Sequence, residues 1–344
     1  MIQEHPVLKV LQNYFEASAV LTPLLAGFQF LGLLRGAVDS GLLTAARTPS
    51  TTQQFAANMN TDIERVGDYC HALDAHGVFV KENDTYRLAD MWATLAAPEA
   101  VFSFEVILDH AQVLSNLIAA SLKNTETYWT LTSAERLTLA KGVTTNPFSP
   151  HSPIVLDLFF QSIPGIYERL AQGAQFLDIG CGVGSGLLGT LVAFPDSTAV
   201  AIEIAGDILE ETRRRAIALN VHDRVVFWQG DAREFPDQSK FDFVHWAHTF
   251  FPVESRAGTL KMAFDAVKPR GYFIAPLENE PLATDEDLHT ETGRANSLQR
   301  LIYGSWGIRP VSHQDFQQEL EVAGFDEIQV LNSMLGNFIL ARHP

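Results

Sequence analysis

Apolar positions recur along this chain with two different periods, and the change between them divides the sequence. Up to about residue 170 the spacing is helical. Residues 28–40 place apolar side chains three and four apart and are followed by Gly41, which predicts a helix with a glycine stop. Pro49-Ser50-Thr51-Thr52 offers a hydroxyl N-cap for the next helix. Over residues 62–76, Val66, Tyr69, Cys70 and Leu73 share one face, and Gly77 ends the helix. Two short apolar runs, Val78-Phe79-Val80 and Thr85-Tyr86-Arg87-Leu88, flank the polar Glu82-Asn83-Asp84 and predict a hairpin. Helices followed by a small hairpin make a winged-helix pattern. Residues 101–170 return to helical spacing. Pro147, Pro150 and Pro153 break it and mark a hinge into a last helix over 154–171.

From Gln175 the character changes. Apolar runs at 176–179, 198–202, 224–228, 241–246 and 271–276 alternate with helical patterns. That alternation predicts an α/β unit with a mostly parallel sheet and crossover helices. The expected organisation is a mainly helical, winged-helix-like domain over 1–100, a helical linker contributing pocket helices over 101–170, and the α/β domain over 171–344.

Composition narrows the function classes. The chain has 344 residues, 47% hydrophobic and 19% charged, as in ordinary soluble globular proteins. Its 24 Lys and Arg against 41 Asp and Glu give a formal net charge of −17. Such a chain repels nucleic-acid phosphates and anionic membranes unless it hides a basic patch. Its basic triplet, Arg213-Arg214-Arg215, follows Glu210 and Glu211 on a predicted helix. A small-molecule or protein partner is expected, not nucleic acid and not a membrane. Cys70 and Cys181 make no disulfide framework and no finger spacing, which suits a reducing compartment. Charges interrupt the apolar pattern of the N-terminus, unlike a leader peptide. The apolar stretch 21–34 is broken by Pro23, Gly27, Gln29 and Gly32 and falls short of a ~20-residue span. A cytoplasmic protein is expected.

The densest chemical signal is FLDIGCGVGSG at 176–186. An apolar strand ends in Asp178, and Gly180, Gly182 and Gly184 follow at alternate positions. Such glycines let the backbone turn tightly and approach a ligand, and the next helix aims its first N–H groups into the same space. Glu203 closes the second strand, where an acid accepts hydrogen bonds from ribose hydroxyls, and Gly230-Asp231 closes the third. All three lie at carboxyl ends of predicted parallel strands, where open α/β sheets bind ligands.

The reading DxGxGxG, with its acid in the strand end, differs from the dinucleotide GxGxxG and resembles the class I S-adenosylmethionine (SAM)-dependent methyltransferases over residues 175–344. The resemblance implies that SAM is the cofactor. Asp178 and the glycine loop would hold its methionine part, Glu203 the ribose and Asp231 the adenine amine, with Ile204, Ala232 and His245 beside it. The order VDSGLLTAARTPSTTQQFAANM (38–59), LDAHGVF (73–79) and YRLAD (86–90) extends the likeness to the small-molecule O-methyltransferases of plant and bacterial secondary metabolism. It implies a homodimer built through the N-terminal domain and a small aromatic or hydroxylated acceptor.

In that family a His past the fourth strand is the general base, typically followed by Asp-Trp. Here the strand end reads FDFVHWAHTFFPVES; His248 is the nearest match and the Asp is missing. The resemblance makes His248 the base and Glu278 or Glu280 its orienting partner, although GSWGIRPVSHQDF lacks the family's further Glu. The stretch 282–309 is expected as a helical insert over the pocket. Phe148, Phe251, Arg294, Asn296, Tyr303 and Trp306 are candidate acceptor contacts. No metal is expected: His245 and His248 stand three apart, on opposite faces of a strand. Two alternatives stay open, methylation at carbon, or a SAM-binding protein of this fold that catalyses another reaction.

Overall fold

The helical half and the sheet half are separate bodies: residues Met1–Leu108 form one unit and Asp109–Pro344 another. The computed structural model describes residues 6–123, 128–163, 165–278, 280–281 and 286–344.

The first unit contains α1 (Pro6–Asp39), α2 (Leu42–Ala45), β1 (Ser50–Thr51), α3 (Thr52–Met59), α4 (Ile63–Ala75), β2 (Phe79–Glu82), β3 (Thr85–Leu88) and α5 (Asp90–Leu95). The predicted N-cap is Thr51, whose side chain accepts from Gln54 N–H while Gln54 returns to the Thr51 backbone. The predicted hairpin is β2–β3, turned at Asn83 with φ 55°, and β1 joins it in a three-stranded antiparallel sheet. Phe55, Val66, Cys70, Leu73, Phe79 and Tyr86 form the core.

The first helix departs from expectation. It starts at Pro6 rather than Phe28 and runs through Pro23, so Val7–Asp39 is a helix long and apolar enough to cross a membrane by length and composition. The glycines and Pro23 that broke the apolar reading weaken a helix without ending it, because each removes at most one ladder bond. Leu34 and Ala37 at its end are buried, whereas Phe15, Leu24 and Phe28 are 65%, 65% and 69% exposed.

Then follow α6 (Phe104–Ala120), α7 (Ser133–Gly142), α8 (Ser152–Gln161), α9 (Ile166–Ala171), β4 (Gln175–Ile179), α10 (Ser185–Ala193), β5 (Thr198–Glu203), α11 (Gly206–Ala218), β6 (Val225–Gln229), β7 (Phe241–Trp246), α12 (Val253–Ala266), β8 (Val267–Leu277), α13 (Glu291–Tyr303), α14 (His313–Ala323), β9 (Asp326–Ser333) and β10 (Gly336–Arg342). The single helix expected over 154–171 is two, α8 and α9, because Gly165 takes a left-handed φ of 81° before α9; Pro164 lies outside the described residues. Of the insert expected over 282–309, residues 282–285 lie outside the described residues, and α13 is its helix.

The sheet has seven strands in the order β6-β5-β4-β7-β8-β10-β9, parallel from β6 to β8 and antiparallel at β10 and β9. It is the doubly wound, Rossmann-like arrangement. Each strand alternates between two cores. Phe176, Phe243 and Ile274 pack on α8–α11, and Leu177, Val244, Trp246 and Phe273 pack on α12 and α14. The chain reverses direction across the sheet between β4 and β7, so the carboxyl ends of β4, β5, β7 and β8 border one crevice.

Candidate active site

The glycine loop is held by backbone bonds and opens toward the crevice. Gly180 and Cys181 donate to the Ile202 carbonyl at 2.9 and 3.0 Å, tying the loop to β5. Gly180 and Gly182 have φ of 70° and 56°, which L side chains rarely adopt. A Cβ on Gly180 would stand 2.7 Å from the Phe251 ring, whereas one on Gly182 would meet open space. Gly184 precedes α10, and a Cβ there would strike Thr212. Thr212 in turn donates to the Gly182 carbonyl at 2.6 Å.

Two acids frame this loop from within the sheet. Asp178 is buried and accepts from His245 Nδ1 at 2.7 Å. Glu203 is buried too; its two oxygens accept from Gly182 N–H at 3.1 Å and Ala205 N–H at 2.9 Å. Burial pushes the Glu203 carboxyl above its ordinary range against those bonds. Asp231 accepts from the Arg233 backbone and side chain, and hydrogen bonding to that guanidinium holds its carboxyl below the ordinary range. Ala232 is buried next to it, and Ile204 is 49% exposed at the end of β5. The open space over Gly182 and the helix start behind the loop fit the methionine part of SAM, and the buried Glu203 carboxylate fits its ribose hydroxyls.

The cover over this loop escaped the sequence reading. Tyr128, Leu137 and Ala140 pack on Val183, Ala205 and Ile208. Arg136 is paired with Asp207 at 2.6 Å, and Thr144 meets Ser185 at 3.0 Å. Tyr128 carries only an aromatic in an unpatterned stretch, so its role depends on a tertiary approach that no local spacing reports.

One strand further along the same edge lies a cavity of about 280 Å³. Its walls are His248 and Thr249 after β7, Arg256 of α12, Leu277 at the end of β8 with Glu278 and Pro281 after it, one face of α13, and the segment from Ile308 to His313. The α13 face reads Asn296, Gln299, Arg300 and Tyr303, offsets of three, four and seven. Of the expected acceptor contacts, Asn296 and Tyr303 line this cavity, and Gln299, Arg300, Arg309 and His313 line it with them.

His248 is not placed as a base. It is 5% exposed, Arg256 Nη1 donates to its Nδ1 at 3.1 Å, and its Nε2 donates to the Pro276 carbonyl at 2.8 Å. Burial, then the Arg256 charge, push its pKa down to about 3. Neither nitrogen is left to take an acceptor proton, so the base expected at His248 is corrected to a neutral, structural imidazole. The two acids expected to orient it do not touch it. Glu280 pairs with His313 Nδ1 at 2.9 Å and accepts from the His313 backbone. Glu278 lines the cavity, accepts from Gln299 Nε2 at 3.5 Å, and has its carboxyl raised by the protein around it.

The remaining acceptor candidates are elsewhere. Phe251 packs on Gly180 and edge-on to Trp246, under the cofactor loop. Phe148 is 46% exposed and does not line the cavity. Arg294 donates to the His289 carbonyl. Trp306 lies between Tyr128, edge-on to it, and Tyr303, tilted to it, with ring centroids 5.6 and 5.5 Å away, beside the cavity rather than in its wall.

A mostly parallel sheet, a DxGxGxG loop and acids closing the next two strands define the class I nucleotide-binding methyltransferases. Residues 176–271 match the family model described as a methyltransferase domain, and this part of the chain is a class I, SAM-dependent methyltransferase domain with SAM as its cofactor. The chain is 33% identical over 91 residues to methyltransferase ungE' of Aspergillus campestris, covering 25% of this chain and 27% of that protein. It is 26% identical over 167 residues to erythromycin 3''-O-methyltransferase of Saccharopolyspora erythraea, covering 47% and 53%. The chain thus spans between a quarter and about half the length of these curated relatives. The structure of an O-methyltransferase family protein from Burkholderia thailandensis shares its fold, with a TM-score of 0.72 at 17% identity over 94% of this chain and 97% of that one.

Proposed function

We propose that this protein is a methyltransferase that transfers the methyl group of SAM to an oxygen of a small aromatic or hydroxylated acceptor of the secondary-metabolite type. The observation that carries this is the adjacency of two sites on one sheet edge: the glycine loop with Glu203 at β4 and β5, and the cavity at the ends of β7 and β8. When bound, SAM supplies an electrophilic methyl group on a sulfonium. The chain's own part is to position and to deprotonate. Asp178, the loop and Glu203 hold one partner; Asn296, Gln299 and Tyr303 orient the other. Glu278 takes the proton of the acceptor hydroxyl, a role that its raised carboxyl basicity suits better than an ordinary carboxylate.

The O-methyltransferase named among the relatives supports oxygen as the accepting atom. The clamped His248 favours carbon as the second reading. Incubation with methyl-labelled SAM and a panel of hydroxylated aromatics, read by mass spectrometry, tests both. A product methyl that acid or boron tribromide cleaves as an ether supports oxygen; a methyl on carbon supports the second reading. Absence of SAM binding by calorimetry in the micromolar range would overturn the proposal.

The same reading includes a homodimer through α1. Its exposed apolar residues, Val7, Leu11, Phe15, Leu24 and Phe28 among them, lie on several faces of the helix. A helix apolar on all sides is stable in water only when covered.

A further inference from the structure

We propose that the acceptor carries a carboxylate and that Arg300 and Arg309 hold it. This rests on reading the cavity as the acceptor site and names the substrate class for it. Both arginines line the cavity, and among the described residues neither has a hydrogen-bond or carboxylate partner. Several other guanidinium groups of the same unit are matched by carboxylates, Arg136 with Asp207, Arg215 with Glu211 and Arg342 with Glu327, and in the cavity wall itself Arg256 is held by Glu319. Carboxylates are plentiful in this chain, 41 acidic residues against 24 basic ones, yet neither of these two cavity arginines has one as a partner.

The carboxylate in the cavity wall, Glu278, accepts from Gln299 and pairs with neither arginine, and Glu280 beyond it is held by His313. Arg300 shares its helix face with Asn296, Gln299 and Tyr303, so it points with the donors that line the cavity rather than with Arg294, which turns back to the His289 carbonyl. Arg309 enters from the segment after Gly307. A planar guanidinium fork matches a carboxylate in two parallel bonds, and a charged acceptor makes each of them roughly twice as strong as a neutral one does. The volume of about 280 Å³ sits at the small end of ligand sites, which suits a hydroxy acid of one or two rings.

The test uses the full chain saturated with S-adenosylhomocysteine and matched probes: hydroxybenzoate and hydroxycinnamate against hydroxybenzamide and hydroxycinnamamide, by ligand-observed NMR. The acids should bind at least ~10-fold more tightly than the amides, about 1.4 kcal/mol. In Arg300→Gln/Arg309→Gln that preference should fall to within ~2-fold, with affinity for S-adenosylhomocysteine unchanged. Equal affinity for acid and amide, no binding of either acid at millimolar concentration, or a preference that survives the double substitution overturns the proposal while leaving the methyltransferase reading intact. Failure of S-adenosylhomocysteine to bind overturns both.

Discussion

Arg256 fixes the tautomer of His248. Its Nη1 donates to His248 Nδ1 over 3.1 Å, which leaves the ring proton on Nε2, where the Pro276 carbonyl accepts it over 2.8 Å. Arg256 is itself held by Glu319 and lies 5.2 and 5.3 Å from the centroids of Trp246 and Phe316. The ring joins the end of β7 to β8 and α12, a positioning role that needs the neutral form.

The consequence for stability has a definite sign. An unfolded His titrates near ~6.5, whereas burial and Arg256 bring folded His248 down to about 3. Between those values the unfolded chain binds the extra proton, so this group's stabilising contribution is present above pH ~6.5 and is lost as pH falls toward 3. His248→Gln should be less stable than wild type at pH 7.5 by about 1–3 kcal/mol, the cost of leaving buried partners unpaired. The gap should narrow at pH 5. Denaturant titrations at both values check this; a gap that is the same at both would contradict the buried neutral ring.

Cofactor affinity should depend on the Glu203 carboxylate rather than on its shape. Its two oxygens accept from Gly182 and Ala205 N–H, and a Gln has one acceptor oxygen for those two donors. Glu203→Gln should weaken SAM binding ~10- to 100-fold, as expected for hydrogen bonds to a charged group. Asp178→Ala should weaken it as well by releasing His245. Calorimetric titration with SAM measures both, and unchanged affinity in the two variants would remove these acids from the cofactor site.

These two acids, with the glycine loop, were the most legible part of the molecule. Their spacing is local: a strand, a turn and a helix start, and then the next strand's last residue. The parallel sheet was legible for the same reason, since buried strands read as unbroken apolar runs. The cavity was not. Its wall combines β7, β8, α13 and the 308–313 segment, and only the tertiary fold brings Arg300 and Arg309 to one space. His248 misled because a motif position carries no information about burial or about an arginine eight residues on. The length of α1 was missed because Pro23 reads as a break locally, while the helix on both sides of it continues.

Glu278 is the group whose loss should separate chemistry from binding. It lines the cavity, and its carboxyl titrates above the ordinary range because the surrounding protein disfavours its charge. The base form is the carboxylate, so turnover should rise with pH through that raised value and level off above it. Glu278→Gln should lower kcat ~100-fold or more, remove the acid limb of the pH profile, and leave affinity for S-adenosylhomocysteine unchanged. Near-normal turnover in this variant would remove Glu278 as the group that takes the acceptor proton.

The exposed length of α1 makes the assembly state a sharp test. Phe15, Leu24 and Phe28 are each at least 65% exposed, while Leu34 and Ala37 tie the helix end into the core of the first unit. Apolar surface of this kind gains roughly 25 cal/mol for each Å² removed from water, so a partner helix laid along it is strongly favoured. Sedimentation of the full chain at micromolar concentration should give a dimer. Leu24→Glu/Phe28→Glu should give a monomer that still binds SAM, since both changes lie in the first unit and the cofactor loop lies in the second. The helix also meets the length and composition of a membrane span, so flotation with neutral lipid vesicles supplies the opposing outcome. Wild type that floats with vesicles and sediments as a monomer without them would assign α1 to lipid rather than to a second copy of the chain.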